Sequence, residues 1–295
     1  MNFFKRILLF GLVNILIIVT ISAVMNIFGI SPYLTQYGLN YSSLAIFCLL
    51  WGFGGAFISL SLSRIMAKWM MGVKLINPTQ TDAAGQALYQ TVARLSQMAK
   101  LPKTPEVGIY ENPEVNAFAT GPSKNRALVA VSRGLLNSMN EKEVEGVLAH
   151  EIAHIANGDM VTMTLIQGIV NAFVMFLSRV VAFFLGQFVE ERNRRIVHFI
   201  SVFVLEILFS FLGMMVVASF SRKREFRADA GGAHIGGKDN MIAALKKLQS
   251  NMSRIEHAHP SLDTLKISSN KGTGLRALLS THPSLEERIT RLERT

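Results

Sequence analysis

Cysteine is all but missing from this chain of 295 residues: Cys48 stands alone, so no intrachain disulfide can form. Its place inside an apolar run gives it the part of a small buried hydrophobe, and nothing argues for an oxidising compartment. Charge is scarce too, with 17% of residues carrying one against roughly a quarter in an ordinary soluble domain. From Ile7 to Ser63 no side chain is charged. Such a stretch makes a poor aqueous surface and a good bilayer core. Internal repeats and low-complexity tracts are also lacking, as are paired broken helices, which argues against a repeat-built transporter.

What is present instead is a series of apolar runs. Two spans of about 20 residues fit before position 64, near Ile7–Gly29 and Ser42–Leu62, joined around Pro32. A cleaved leader suits the first poorly, because its apolar stretch is long and no clear A-x-A site follows. Met160–Phe188 and Ile196–Ser221 read as a second helical hairpin, with one formal charge in each, Arg179 and Glu206. These two lie at nearly equal depth from the connecting loop and are expected to form a salt bridge.

The net charge of +10 comes from basic residues beside the apolar runs: Lys5, Arg6, Arg64, Lys68, Lys74, Arg222, Lys223, Arg224 and Arg227. That placement points to anionic lipid headgroups and not to nucleic acid. The basic flanks put residues 65–159 and the C-terminal part in the cytoplasm; with Arg192, Arg194 and Arg195 in the second hairpin's loop, either the rule is locally broken or that hairpin is re-entrant and does not fully cross.

Between the hairpins, residues 82–100 have helical periodicity with Thr81 or Asp82 as cap. "PEVGIYEN", "VNAFATG" and "ALVAVS" read as short strands, the last two pairing across "PSKNR". A helix should start after Asn140, with Glu143 completing a capping box. Residues 252–281 read as a long loop, and Gly231–Gly232 as a turn ahead of His234.

That capped helix carries "VLAHEIAHIANGD", residues 147–159. Positions i and i+4 of a helix lie about 40° apart around the axis and about 6 Å along it, so His150 and His154 aim their imidazoles at one point. Glu151 flanks that point without having to ligate. In H-E-x-x-H the neutral imidazoles bind zinc and the glutamate takes a proton from the attacking water. Hydrogen-bonded core histidines are the plain alternative. Ala149, Ala153 and Ala156 favour the metal by letting another segment approach closely.

A catalytic zinc needs a third protein ligand. "SRKREFRADAGG", residues 221–232, offers Glu225 to ligate and Asp229, one turn on, to accept a hydrogen bond from the far nitrogen of a ligating histidine. Without the first motif this would be an acidic pair neutralised by its arginines. Asp159 is either another such acceptor or a turn former. The loop histidines His257 and His259 read as solvated, and His198 as interfacial.

"AHEIAHIANGD", "SRKREFRADA", "NAFATG" and "THPSLEER", in this order among four apolar runs, resemble the membrane metalloprotease family of the zinc-dependent CAAX prenyl protease, in its bacterial form. The resemblance covers essentially the whole chain. It implies a mainly α membrane protein with four apolar helices in two hairpins and a cytoplasmic α+β zincin-like catalytic domain with a small sheet. The segments would be 1–64, 65–159, 160–221 and 222–295. It further implies a zinc endopeptidase of the gluzincin type, in the bacterial inner membrane, acting on damaged or unfolded membrane proteins. Asn116, Ala117 and Phe118 would lie on an edge strand that holds substrate, and His282 and Arg288 would lie near the zinc, where either could stabilise an oxyanion. A CAAX-type processing protease would share this chemistry. A non-catalytic zinc-binding scaffold or transporter would leave the glutamate base unexplained.

Overall fold

The computed structural model describes residues 38–79, 81–258 and 278–294, with 19, 23–27, 29 and 33–35 before them. The expected first span, Ile7–Gly29, falls mostly outside these residues, as do His259 and the side chain of His257. The elements in order are β1 (Leu34–Thr35), β2 (Gly38–Leu39), α1 (Tyr41–Met70), β3 (Lys74–Leu75), α2 (Ala83–Met98), β4 (Glu106–Tyr110), β5 (Ala117–Thr120), β6 (Leu128–Ser132), α3 (Arg133–Ser138), α4 (Glu141–Asn157), α5 (Asp159–Gln187), α6 (Glu191–Gly236), α7 (Lys238–Ala258) and α8 (Leu285–Arg294). The molecule is mainly helical with a small mixed sheet. Among the described residues three helices, α1, α5 and α6, are long and apolar enough to cross a membrane.

The chain divides into two compact units. Met1–Leu60 with Thr162–Val217 make the first, whose described residues are mainly the apolar parts of those three helices. Its helices approach through small residues, since a Cβ on Gly52 would lie 2.6 Å from the carbonyl oxygen of Gly168 and 2.9 Å from Cβ of Ala172. Lipid tails offer no hydrophobic drive between spans, so such backbone contact is what holds them together. The apolar stretch of α6 is almost entirely unburied, and Phe199, Phe203 and Ile207 are exposed, the composition of a lipid-facing surface. The one charge of each later run is satisfied by the other: an Arg179 Nη1 donates to Glu206 Oε1 over 2.6 Å and to the Met175 carbonyl over 3.1 Å. The guanidinium also lies 5.3 Å from the centre of the Phe47 ring.

Ser61–Val161 with Ala218–Thr295 make the second unit. Its sheet runs β3-β4-β6-β5. β6 is buried throughout, parallel to β4 and antiparallel to β5 with Phe118 opposite Ala130, so β5 is an edge. Helix α2 starts at Asp82, whose Oδ1 accepts from the Gly85 amide at 2.8 Å. It packs with α4 and the sheet in the main core, around Val92, Leu95, Val129, Val131, Leu148 and Ile152.

Two local expectations change. Residues 252–258 extend α7 and are not loop. Gly231–Gly232 is no turn either but lies inside the 46-residue helix α6. There its missing side chains serve an approach to α4: a Cβ on Gly231 would be 3.0 Å from Cβ of Ala153, and one on Gly232 3.1 Å from the backbone nitrogen of His150. At Gly236 the added carbon would sit 2.5 Å from Cβ of Ala149.

Reversing the charge of either Arg179 or Glu206 alone should lower membrane accumulation several-fold, as a loss of about 1–2 kcal/mol does. The double reversal should restore it, as quantitative blotting of membranes will show; a swap no better than the single changes contradicts the pairing.

Candidate metal centre

Helix α4 is fixed at both ends. Asn140 Oδ1 accepts from the Glu143 amide at 3.0 Å while Glu143 Oε2 accepts from the Asn140 amide at 2.9 Å, a closed capping box. At the other end Gly158 takes φ 68°, a left-handed conformation natural to glycine, and its amide turns back to the carbonyls of His154 and Ile155. The chain then enters α5 directly, with Asp159 as its first residue. On the buried face of α4, Gly146, Ala149 and Ala153 leave room for a backbone to approach, and α6 occupies it opposite Ala149 and Ala153.

That crossing brings His150, His154 and Glu225 together, with one ligand atom of each within 4.8 Å of the others. The two Nε2 atoms are 3.1 Å apart. Glu225, 1% exposed, lies with Oε2 3.4 Å from Nε2 of His150 and Oε1 3.4 Å from Nε2 of His154. Each imidazole gives its other nitrogen to a carboxylate: His150 Nδ1 is 3.0 Å from Asp229 Oδ1, and His154 Nδ1 is 2.7 Å from Asp159 Oδ2. Protons held on the Nδ1 atoms leave both Nε2 lone pairs facing each other and an anionic oxygen, an arrangement that demands a cation. A nitrogen separation of 3.1 Å suits two ligands each about 2.0–2.1 Å from one ion. The donor set therefore fits a metal of zinc's preferences.

The site's electrostatics agree. Burial disfavours charge on His150, yet the carboxylates of Asp229 and Glu225 outweigh it and raise its pKa. Burial likewise opposes protonation of His154, and Asp159 with Glu225 overcomes it, lifting the pKa to about 9. Without metal the centre thus holds a proton at neutral pH. Arg288, only 7% exposed, grips Asp229 with two nitrogens, Nε to Oδ2 at 2.8 Å and Nη2 to Oδ1 at 2.6 Å. Its Nη1 is 3.8 Å from Glu225 Oε2. His282 Nδ1 is 3.0 Å from that same oxygen, with a side chain 61% exposed.

Asp159 proves to be more than a turn former, since its second oxygen accepts a hydrogen bond from Arg227. Its signal in the sequence, an acid directly after the glycine that ends α4, is shared by ordinary turns. Arg227 and Arg224 carry no signal beyond charge; Arg224 Nη2 donates to Glu225 Oε1 at 3.1 Å. Glu151 is half-buried on α4. His234 is exposed and belongs to no metal-ligand cluster among the described residues.

Asn116, Ala117 and Phe118 lie on or beside β5, which packs against α4. The Asn116 carbonyl already accepts from the Ser132 amide at 2.9 Å, and its amide donates to Ser132 Oγ at 3.1 Å. In an antiparallel ladder backbone groups alternate in direction, so those of Ala117 and Ala119 face the open edge while those of Phe118 face β6. The Phe118 ring packs on Tyr110 at 5.6 Å.

Similarity to known proteins runs along the whole chain. Peptidase family M48 matches residues 82–295. A "Protease HtpX homolog" of Bacillus subtilis is 54% identical over 297 residues, covering 98% of this chain and 99% of the relative. Another from Methylacidiphilum infernorum is 48% identical and covers 99% of both. The crystal structure of S. mikatae Ste24p shares the fold, with a TM-score of 0.65 at 19% identity. That match covers 98% of this chain, which spans 64% of the solved one.

Replacing Asp159 or Asp229 by Asn should weaken metal affinity about 10–100-fold, the usual cost of losing a carboxylate behind a ligating histidine, as competition with a chromophoric chelator will measure. Because entering metal displaces the proton on His154, affinity in the wild type should rise with pH up to about 9. A pH-independent affinity from 6 to 9 contradicts this assignment.

Proposed function

The chain belongs to peptidase family M48, and from that premise we propose a zinc-dependent endopeptidase of the bacterial inner membrane that hydrolyses damaged or misfolded membrane proteins from the cytoplasmic side. Basic residues flanking the apolar helices, Arg64, Lys68 and Lys74 among them, support the orientation. On this reading 1–64 and 160–221 are membrane hairpins, and 65–159 and 222–295 together make the catalytic part. The observation that carries it is the convergence of two imidazole nitrogens and the Glu225 carboxylate, with Glu151 next to His150 on α4.

His150, His154 and Glu225 would hold the ion, with Asp229 and Asp159 fixing the imidazoles. When bound, zinc supplies a Lewis acid that makes water a nucleophile at neutral pH and polarises the scissile carbonyl. The substrate lies extended along β5, exchanging hydrogen bonds with the outward backbone groups of Ala117 and Ala119, while Asn116 offers its exposed side chain at the strand's start. Glu151 accepts the proton of the attacking water and passes it to the departing amine. His282, exposed and already beside the cluster, donates to the carbonyl oxygen as negative charge develops there. Arg288 is held by Asp229 through two of its nitrogens, so its share is the field of its Nη1 and the rigidity of Asp229.

Glu151→Gln should retain one zinc per chain and lose roughly 10²–10⁴-fold in turnover of an unfolded, unprenylated polypeptide by the detergent-solubilised protein. Chelator should abolish the wild-type rate and zinc restore it. Wild-type turnover by Glu151→Gln would contradict the base, and cleavage confined to prenylated substrate would move the chain to the processing class.

A further inference from the structure

The C-terminal stretch 278–294 is laid along one face of α6. Arg222, Glu225 and Asp229 stand at i, i+3 and i+7, within about 60° of one another around the helix axis, and each meets a different part of that stretch. Asp229 takes Arg288 and Glu225 faces His282, contacts that belong to the metal centre. Arg222 does something else: its Nη1 donates to two backbone carbonyls, Leu278 at 3.1 Å and Ser280 at 2.7 Å. Ser280 Oγ then donates to the carbonyl of His282 at 2.7 Å. A connected series of hydrogen bonds thus leads from Arg222 to the backbone of His282, whose imidazole stands 3.0 Å from Glu225.

Leu278 and Leu279 are helical, Leu279 and Ser280 are half-buried, and the chain then bends through Thr281 and His282. Leu278 is 45% exposed, and Thr281 and His282 are exposed, so apolar packing does not set their place; Pro283 is the first buried residue after them. A charged donor bridging two carbonyls is stronger than neutral hydrogen bonds and directional as well. Arg222 leaves the same helix one turn before Glu225. Any shift of the ligand-bearing helix therefore carries the His282 loop with it, and the spacing between Glu225 and His282 is preserved.

We propose that Arg222 is a positioning residue for the reaction: by tying the carbonyls of residues 278 and 280 to α6 it sets the His282 imidazole where the oxyanion forms. This rests on the role given to His282 above. Like Arg224 and Arg227, which meet Glu225 and Asp159, Arg222 is directed at the chain's own groups, in its case two backbone carbonyls.

The test uses the full chain in detergent, with zinc and an unfolded polypeptide, in the variants Arg222→Gln, Arg222→Lys, His282→Ala and the double change Arg222→Gln with His282→Ala. Arg222→Gln should lower kcat roughly tenfold to hundredfold, the scale of a small misplacement of a reacting group, with KM and zinc content unchanged. Hydrogen exchange at residues 278–284 should quicken, and Arg222→Lys should recover part of the rate. In the His282→Ala background Arg222→Gln should cost nothing further. An undiminished second loss in that background, with His282→Ala itself impaired, overturns the tether alone, as does wild-type kcat or loss of zinc in Arg222→Gln. Full activity of His282→Ala overturns the role of His282 and this proposal with it.

Discussion

Two helix backbones, α4 and α6, come close enough to touch because neither carries bulk where they meet. Ala149 and Ala153 on one side face Gly231, Gly232 and Gly236 on the other, and a single methyl group at Gly236 would already collide with Ala149. Everything chemical in the second unit depends on that approach. His150 and His154 share one face of α4 by helical geometry alone, but the third ligand atom reaches them only because α6 can lie against the helix that bears them. Glycine within a helix costs about 1 kcal/mol relative to alanine. Three of them within six residues near the end of α6 are a stability sacrifice that the site explains.

Around the three converging groups the charges are arranged in two parallel series. Behind His150 stands Asp229 and behind that Arg288; behind His154 stands Asp159 and behind that Arg227. Each carboxylate orients an imidazole with one oxygen while an arginine steadies the acid, so the buried negative charges are paired and the lone pairs are aimed inward. One of these series is completed by α8, the other by α6 and the first residue of α5. The site is thus assembled from segments distant in sequence, and the helices that supply Asp159 and Glu225 are the ones whose apolar stretches belong to the first unit.

Much of this was legible in the sequence because the relevant signals are local. The capping box at Asn140, the four-residue spacing of the histidines and the acidic pair in "REFRAD" each follow from the geometry of a single helix. So did the antiparallel pairing of β5 with β6, whose alternation and turn residues are local too. The equal depths of Arg179 and Glu206 required only counting along two helices. Features set by tertiary context are not legible in the same way. Glycines 231 and 232 look like a turn by intrinsic preference, and only a partner helix explains them inside α6. Asp159 after Gly158 stands between acceptor and turn former until His154 is seen to reach it. For Asn116, the register with β6 decides which backbone groups remain available, and pairing phase cannot be read from one strand. Arg222 looked like a lipid-facing charge because the loop it holds lies more than fifty residues away.

One ion held by two imidazoles from α4 and one carboxylate from α6 is the feature on which the chemistry turns. Zinc-edge X-ray absorption on the purified, zinc-loaded chain tests it most directly. The predicted spectrum shows one zinc per chain in a nitrogen and oxygen shell without sulfur, with two imidazoles, and a shell altered by Glu225→Ala. A chain that binds no zinc, or a spectrum unchanged by that substitution, would contradict it.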